Sequence, residues 1–437
     1  MLGTPGLIRR LLLPVLAVAA CAAAGAAAQG LPAVGPVIGD IQETVTGTTG
    51  DLLDGPLRAA APLVRDAARL AAIRLDRLAA LVRANRAALE MDDTGAPSVR
   101  GQVIGVAPSP EALAAAVKEG FTLISDDRIE GVGIRSVVLA VPEGMALKSA
   151  LTRLRRLAPG DWSANQLHFT SGTAGGTAGT LAMSAAATMS DNGPALGMID
   201  GGVAAHPVFS GPIDQRGFAG GAPAASPHGT AVASLLAGKG AVQGVLPGAP
   251  LIVADVYGTD PAGGNAVAIA RALGWMVARR VPVVTISLVG PSNPLLARVI
   301  ASARSRGTQI VAAVGNDGPA SPPSYPASYP GVIAVTAVDK RDRALIEAGR
   351  SLHLDYAAPG ADMRAAAPRG RTVDVRGTSF AAPLVAGRLA ARYPRPDPGR
   401  IAASITLLDK EAIDLGKRGP DKIYGRGLVC RACRTPR

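Results

Sequence analysis

A serine, a histidine and an aspartate stand in settings that suit nucleophilic acyl transfer. Ser379 lies in Gly377-Thr378-Ser379-Phe380-Ala381-Ala382-Pro383, opening the last long helical pattern. At a helix N-terminus the free N–H groups and the helix dipole favour negative charge, so one place can hold a nucleophile and stabilise an oxyanion. Pro383 falls in the first turn, where a missing N–H costs little. His228 stands in Ser226-Pro227-His228-Gly229-Thr230, just before the small-residue run 231–237, in a chain with four histidines. Asp200 closes the apolar run 196–200 and is followed by Gly201-Gly202, where the chain can turn and the carboxylate can orient an imidazole. Each residue also has a plain reading: a helix-capping serine, a structural histidine, a turn aspartate. What favours chemistry is the set, together with Asn316 just past the apolar run 309–314. A side-chain amide there can donate to an oxyanion, and loss of such a donor costs about 10²–10³ in kcat.

The elements that must position these groups follow from the apolar pattern. From residue 195 onward, short apolar runs at 196–200, 251–257, 283–287, 309–314 and 332–338 alternate with helical patterns at 229–238, 265–279, 293–306 and 379–392. This alternation predicts an α/β fold, a mostly parallel sheet with helices on both faces, with functional groups at the carboxyl ends of the strands. Upstream, 99–170 reads strand, helix, strand, strand, helix, strand, with strands at 101–106, 121–125, 135–141 and 165–170 and helices at 110–120 and 145–157. That order predicts a small α+β, ferredoxin-like domain. A run of small residues without periodicity, 171–192, reads as an exposed linker that a protease could cut.

Here the residues carry a resemblance. The segment 193–437 is similar to the catalytic domain of the subtilases, the subtilisin-like serine proteases: the serine motif matches GTSxAxP, the histidine motif matches HGT, and Asp, His and Ser occur in the subtilisin order. The resemblance implies a secreted serine endopeptidase with the triad Asp200, His228 and Ser379 and with Asn316 in the oxyanion hole; the alternative is a catalytically silent binding protein of the same fold. Gly201 replaces the usual Thr or Ser after the aspartate, which touches a supporting hydroxyl rather than the carboxylate. Residues 284–290 resemble the family's SLGG segment, which carries Ser287, Leu288 and Gly290 over as substrate-binding residues. Val289 replaces a glycine there and should crowd a neighbouring subsite. Ala313 and Gly315 would wall the first specificity pocket and suit apolar residues, and Gly263 and Gly264 would belong to the opposite edge. Residues 99–170 resemble the family's propeptide, which implies an intramolecular inhibitor and self-cutting somewhere within about 170–192. The short stretch between His228 and Leu251 lacks the calcium loop of many relatives, so no cofactor and no obligatory calcium at that site are expected.

Composition bounds the rest. In 437 residues, 48% are hydrophobic but 3% aromatic, so Ala, Val, Leu and Ile must fill the core. The net charge of +12 comes without any tract of five or more like charges, which argues against nucleic acid as a partner. Residues 1–28 read as an export signal with a basic start, an apolar run and small residues. Val18-Ala19-Ala20-Cys21 offers the alternative of a lipoprotein anchor at Cys21, and a retained membrane span is a third reading. The expected location is periplasmic or extracellular. Within the lead-in 29–98, residues 55–90 set Leu57, Leu63, Val64, Leu70, Ile73, Leu78, Leu81 and Val82 at helical spacing among arginines, predicting one amphipathic helix or a pair. Such a helix could touch a membrane, but packing on protein is the simpler expectation. Cys430 and Cys433 suit a small terminal disulfide in an exported chain.

Overall fold

The computed structural model describes residues 55–171, 173–174 and 194–434; the predicted leader with Cys21, the lead-in to residue 54 and most of the linker lie outside the described residues. The chain divides into two compact units between Asp66 and Ala67. Of the first unit, the residues from Gly55 are helical and open α1 (Gly55–Ala84), a single helix of 30 residues rather than a pair.

The second unit begins with the small α+β domain. It comprises β1 (Leu89–Met91), β2 (Pro97–Val106), α2 (Pro110–Lys118), β3 (Thr122–Arg128), β4 (Arg135–Ala140), α3 (Leu147–Leu157) and β5 (Asp161–Gln166). Its antiparallel sheet runs β1-β2-β4-β3 with β5 on β2, the pairing of a split βαβ fold. Period two sorts its side chains. Val103, Val137 and Leu139 face Leu147, Leu151 and Leu154 in the domain's own core. Their neighbours Ile104, Val106 and Val138 point the other way and join the core of the larger domain.

That domain is built on β8 (Leu196–Asp200), β9 (Ile213–Gly217), α4 (Pro227–Ala237), β10 (Leu251–Asp255), α5 (Ala266–Ala278), β11 (Val283–Ile286), α6 (Pro294–Ser305), β13 (Gln309–Ala313), β14 (Ile333–Val338), β15 (Tyr356–Pro359), α7 (Ala382–Ala390) and α8 (Ile401–Asp409). The sheet has seven strands in the order β15-β14-β13-β11-β8-β10-β9, all parallel. Strand order turns at β8: the chain first builds out through β9 and β10, then returns to the other flank with β11. A crevice at the carboxyl end of β8 follows from that reversal, the usual place for a site in such sheets. Leu196 and Met198 face α4 and α7, whereas Ile199 faces α5 and α6, so the strand is apolar on both sides. Short paired segments complete the chain: β6 (Phe169–Thr170) on β12 (Leu288–Val289), and β7 (Thr173–Ala174) with β16 (Met363–Ala367) on β17 (Arg371–Arg376).

The differences from expectation have local causes. The predicted strand 165–170 breaks after Gln166, because the chain leaves the small sheet and pairs with β12 in the larger domain. The serine motif does not open an α-helix directly: Ser379 lies in a 3-10 turn, Thr378–Phe380, and α7 begins after it and is followed by α8. The edge strands β9 and β15 lack a distinctive apolar run and went unpredicted. Cys430 and Cys433 are disulfide-bonded.

The two domains meet at α5 and α6, and Asn293 ties them. Its Oδ1 caps α6 by accepting from the N–H groups of Leu295 and Leu296. Its Nδ2 lies 3.2 Å from Ser163 Oγ, 3.2 Å from Ala164 O and 3.0 Å from Gln166 Oε1. Asn293→Asp preserves a good cap but buries a charge against those oxygens. In a chain kept intact by Ser379→Ala, it is expected to lower the unfolding temperature more than Asn293→Ala; an Asp variant as stable as the parent would contradict this division of labour.

Candidate active site

Asp200 ends β8 with no solvent exposure and accepts from Gly201 N–H at 2.7 Å. Both its oxygens lie 2.9 Å from His228 Nδ1. A buried carboxylate must be paired, and the paired imidazole is thereby held with Nδ1 toward the aspartate and Nε2 free. His228 Nε2 is buried and has no hydrogen-bond partner in the structure. The imidazole reaches this place because Ser226 caps α4, its Oγ accepting from Gly229 N–H at 3.2 Å, and His228 falls in the first turn. Gly229 packs so closely that a Cβ would stand 2.2 Å from Gly201 O, which explains the glycine behind the histidine.

Gly201 has its own explanation. A Cβ on it would lie 2.5 Å from Ser226 Cβ and 2.7 Å from Ser226 Oγ. The space a side chain would use after Asp200 is filled by the cap of α4, so a small residue at 201 and a serine at 226 belong together.

Ser379 sits beside the imidazole through Phe380, whose ring centroid is 5.4 Å from that of His228. Its hydroxyl contacts Ser171 Oγ at 2.6 Å and donates to Ser287 O at 3.2 Å. Ser287 Oγ in turn donates to Ser379 O at 3.0 Å. Asn316 Oδ1 accepts from Thr378 N–H at 2.9 Å, which fixes the amide and leaves Nδ2, buried and without a partner, as the donor end. Ser379 N–H donates to the carbonyl of Ser171 at 3.1 Å. Asp200 thus contacts His228, His228 lies against Phe380 next to Ser379, and Asn316 holds the N–H of Thr378 just before Ser379.

The predicted substrate-binding residues divide. Ser287, Leu288 and Gly290 lie along an edge that holds the chain's own segment 168–171: Ser171 N–H donates to Ser287 O, and Leu288 and Val289 pair with Thr170 and Phe169. Leu288 acts by its backbone, its side chain being core. Gly264, on the opposite edge, accepts from His168 N–H at 2.8 Å. Gly315 has φ +91°, and a Cβ there would stand 3.3 Å from Val289 Cγ1. Val289 therefore reaches across toward Gly315. Ala313 ends β13 and is fully buried in the core cluster that β13 shares with α4 and α7. The cleft beside Ser171, about 190 Å³, is lined by Val289 and Asn316 but also by Arg77, Asp317, Glu347 and Arg376, so it is more polar than expected.

Four residues that the sequence reading did not single out also contribute. Thr378 Oγ1 bonds both Gly315 N and Gly315 O at 3.1 Å, tying the nucleophile's turn to the Asn316 loop; its place in the GTS motif was the available clue. Tyr257 OH donates to His168 O at 2.8 Å. Arg74 and Arg77 of α1 pair with Asp317 at 3.2 and 2.8 Å, next to Asn316.

His168 is fully buried, with its ring 2.5 Å from where a Cβ of Gly290 would be. Burial pushes its imidazole down to about 4 from an ordinary 6.5.

Residues 191–427 match the model of a family described as the Subtilase family. Subtilisin BL of Lederbergia lenta is 34% identical over 252 residues, covering 55% of this chain and 90% of that protein. M-protease of Shouchella clausii is 33% identical over 252 residues, and the chain spans 64% of its length. Among solved structures, fervidolysin from Fervidobacterium pennivorans, described as a keratinolytic enzyme related to subtilisin, aligns with a TM-score of 0.60 at 21% identity. That alignment covers 77% of this chain and 61% of the other, a likeness of fold.

Two outcomes follow from the geometry. Gly201→Ser should destabilise the chain by about 1–3 kcal/mol through overpacking, and adding Ser226→Gly should recover most of the loss, since glycine caps nearly as well. Strict additivity of the two changes in thermal unfolding would refute the steric coupling. For His168, the unfolded chain takes up a proton near pH 6.5 while the folded one stays neutral to about 4. Its effect on stability is therefore absent above 6.5, and stability falls progressively as pH drops through that window. His168→Leu in the Ser379→Ala chain should flatten this fall; parallel curves for the two chains would disprove it.

Proposed function

The chain belongs to the subtilase family, and from that premise we propose that it is an exported, self-maturing endopeptidase working through Asp200, His228 and Ser379. The observation that carries the proposal is the double contact of Asp200 with His228 Nδ1 in a crevice where Ser379 N–H already binds a peptide carbonyl. Family membership and similarity to subtilisins make it a subtilisin-like serine protease acting on polypeptides.

In the proposed mechanism, the Ser379 hydroxyl turns to His228 Nε2, loses its proton there and attacks a peptide carbonyl. Asp200 keeps Nδ1 protonated and stabilises the imidazolium. Ser379 N–H and Asn316 Nδ2 receive the oxyanion. His228 then protonates the leaving amine, and water, deprotonated by His228, releases the acyl group. The substrate chain lies as an added strand between the edge at 287–290 and the edge at 264, which selects main chain first.

Export is supported by the basic, apolar and small-residue order of 1–28. The division into a leader, a lead-in (29–98), an inhibitory propeptide (99–170), a linker (171–192) and a catalytic domain (193–437) is part of the same reading. It is supported by the separate α+β core and by the way the segment after it enters the crevice.

Hydrolysis of an unfolded polypeptide, with the segment before residue 172 removed by an added protease in the parent and every variant alike, tests the proposal. Ser379→Ala should abolish it, Asp200→Asn should lower kcat by about 10⁴, and Asn316→Ala by about 10²–10³, with KM nearly unchanged. Undiminished turnover in Ser379→Ala would contradict it.

A further inference from the structure

The crevice is occupied by the chain itself, and the occupancy is specific to one carbonyl. We propose that the protein cuts itself at the Ser171–Gly172 bond, an assignment that rests on the proteolytic reading above but goes beyond it by naming the bond. Ser171 O is the atom that accepts from Ser379 N–H, at 3.1 Å, and Ser171 lines one cleft with Asn316, whose Nδ2 has no partner.

Register, rather than local sequence, selects this bond. The segment 171–192 is built almost wholly from Ala, Gly, Ser, Thr and Met, so side chains offer little to distinguish one bond from the next. The preceding chain is pinned residue by residue. Leu167 bridges Asn265, His168 N–H donates to Gly264 O at 2.8 Å, Phe169 and Thr170 pair with β12, and Ser171 N–H donates to Ser287 O at 3.2 Å. Moving a neighbouring carbonyl to Ser379 would slip this whole ladder by one residue and turn each side chain to the opposite face. Beyond the bond, Thr173 and Ala174 pair with Arg376 and Val375, the strand that runs into the nucleophile's turn. The chain is therefore held on both sides of the bond.

The side chains agree with the register. His168 fills the space left by Gly290, where any Cβ would collide with its ring. Ser171 is small and buried, and it lines one cleft with Val289, whose branch leans toward Gly315 and limits the room there. The same geometry makes Val289 a specificity-determining residue that favours small side chains on the acyl side of the cut.

The step balances with the groups present and water. Ser379 Oγ bonds to the Ser171 carbonyl carbon while its proton passes to His228 Nε2. The bond from that carbon to the Gly172 nitrogen breaks as His228 returns the proton to the nitrogen. Water then hydrolyses the ester, leaving a carboxylate on Ser171, a new amine on Gly172 and the free Ser379 hydroxyl.

Mapping of both new ends by mass spectrometry, at the earliest times after the full chain is produced, tests the assignment. The expected ends are a carboxylate at Ser171 and an amine at Gly172. Ser171→Ala should cut at the same bond at a comparable rate, and Ser171→Trp should slow it on the order of tenfold or more, with Val289→Gly in the same chain restoring speed. First ends at another bond, dependent on Ser379, would overturn this assignment and leave the proteolytic reading standing. Cutting at Ser171–Gly172 that survives Ser379→Ala would overturn self-cutting and, with it, this proposal.

Discussion

The buried carboxylate of Asp200 is the constraint on which the rest of the site depends. With no solvent to stabilise it, the charge is tolerable only where several donors converge, and the fold provides these from separate elements. Gly201 N–H comes from the turn after β8, and His228 from the first turn of α4. That convergence dictates small residues around it: Gly201 because Ser226 fills its side-chain space, and Gly229 because its backbone touches Gly201 O. The central place of β8, flanked by β10 and β11, is what brings the carboxylate to the crevice formed by the reversal of strand order.

A second layer of constraint comes from the α+β domain. Its sheet buries one face in its own helices and lends the other to α5 and α6, so its position is fixed by core packing and not by surface ion pairs alone. Ion pairs such as Arg298 with Asp161 and Arg271 with Asp127 ring that contact, and exposed pairs of this kind add little. What the docking accomplishes is register. Once β5 ends at Gln166, only a short run of chain remains before the nucleophile, and the ladder on Gly264, Ser287 and β12 determines which atoms arrive there. Helix α1 adds a further tie, since Arg74 and Arg77 hold Asp317 beside Asn316.

Much of this was legible in the sequence because the relevant signals are local. The run ending at Asp200, the cap before His228 and the glycine before Thr378 and Ser379 each announce a strand end or a helix start, and the small domain's element order appears as expected. The parts that were not legible depend on partners distant in sequence. Val289 reads as an intrusive branch, but only its approach to Gly315 shows what it narrows. Ala313 reads as a wall residue from its neighbours, and only the fold shows that it is fully buried at the end of β13. The polar character of the cleft comes from Arg77, Glu347 and Arg376, which lie far apart along the chain and have no motif in common. The break after Gln166 was hidden because leaving one sheet for another alters the partner and not the extended backbone.

The most direct test of the central claim is peptide mapping after reaction of the processed protein with a fluorophosphonate. If Asp200 and His228 activate Ser379 beside an oxyanion site, the phosphonyl group will be found on Ser379, and its formation will slow sharply in Asp200→Asn. A protein that reacts at some other serine, or at the same rate without the Asp200 carboxylate, would contradict the account.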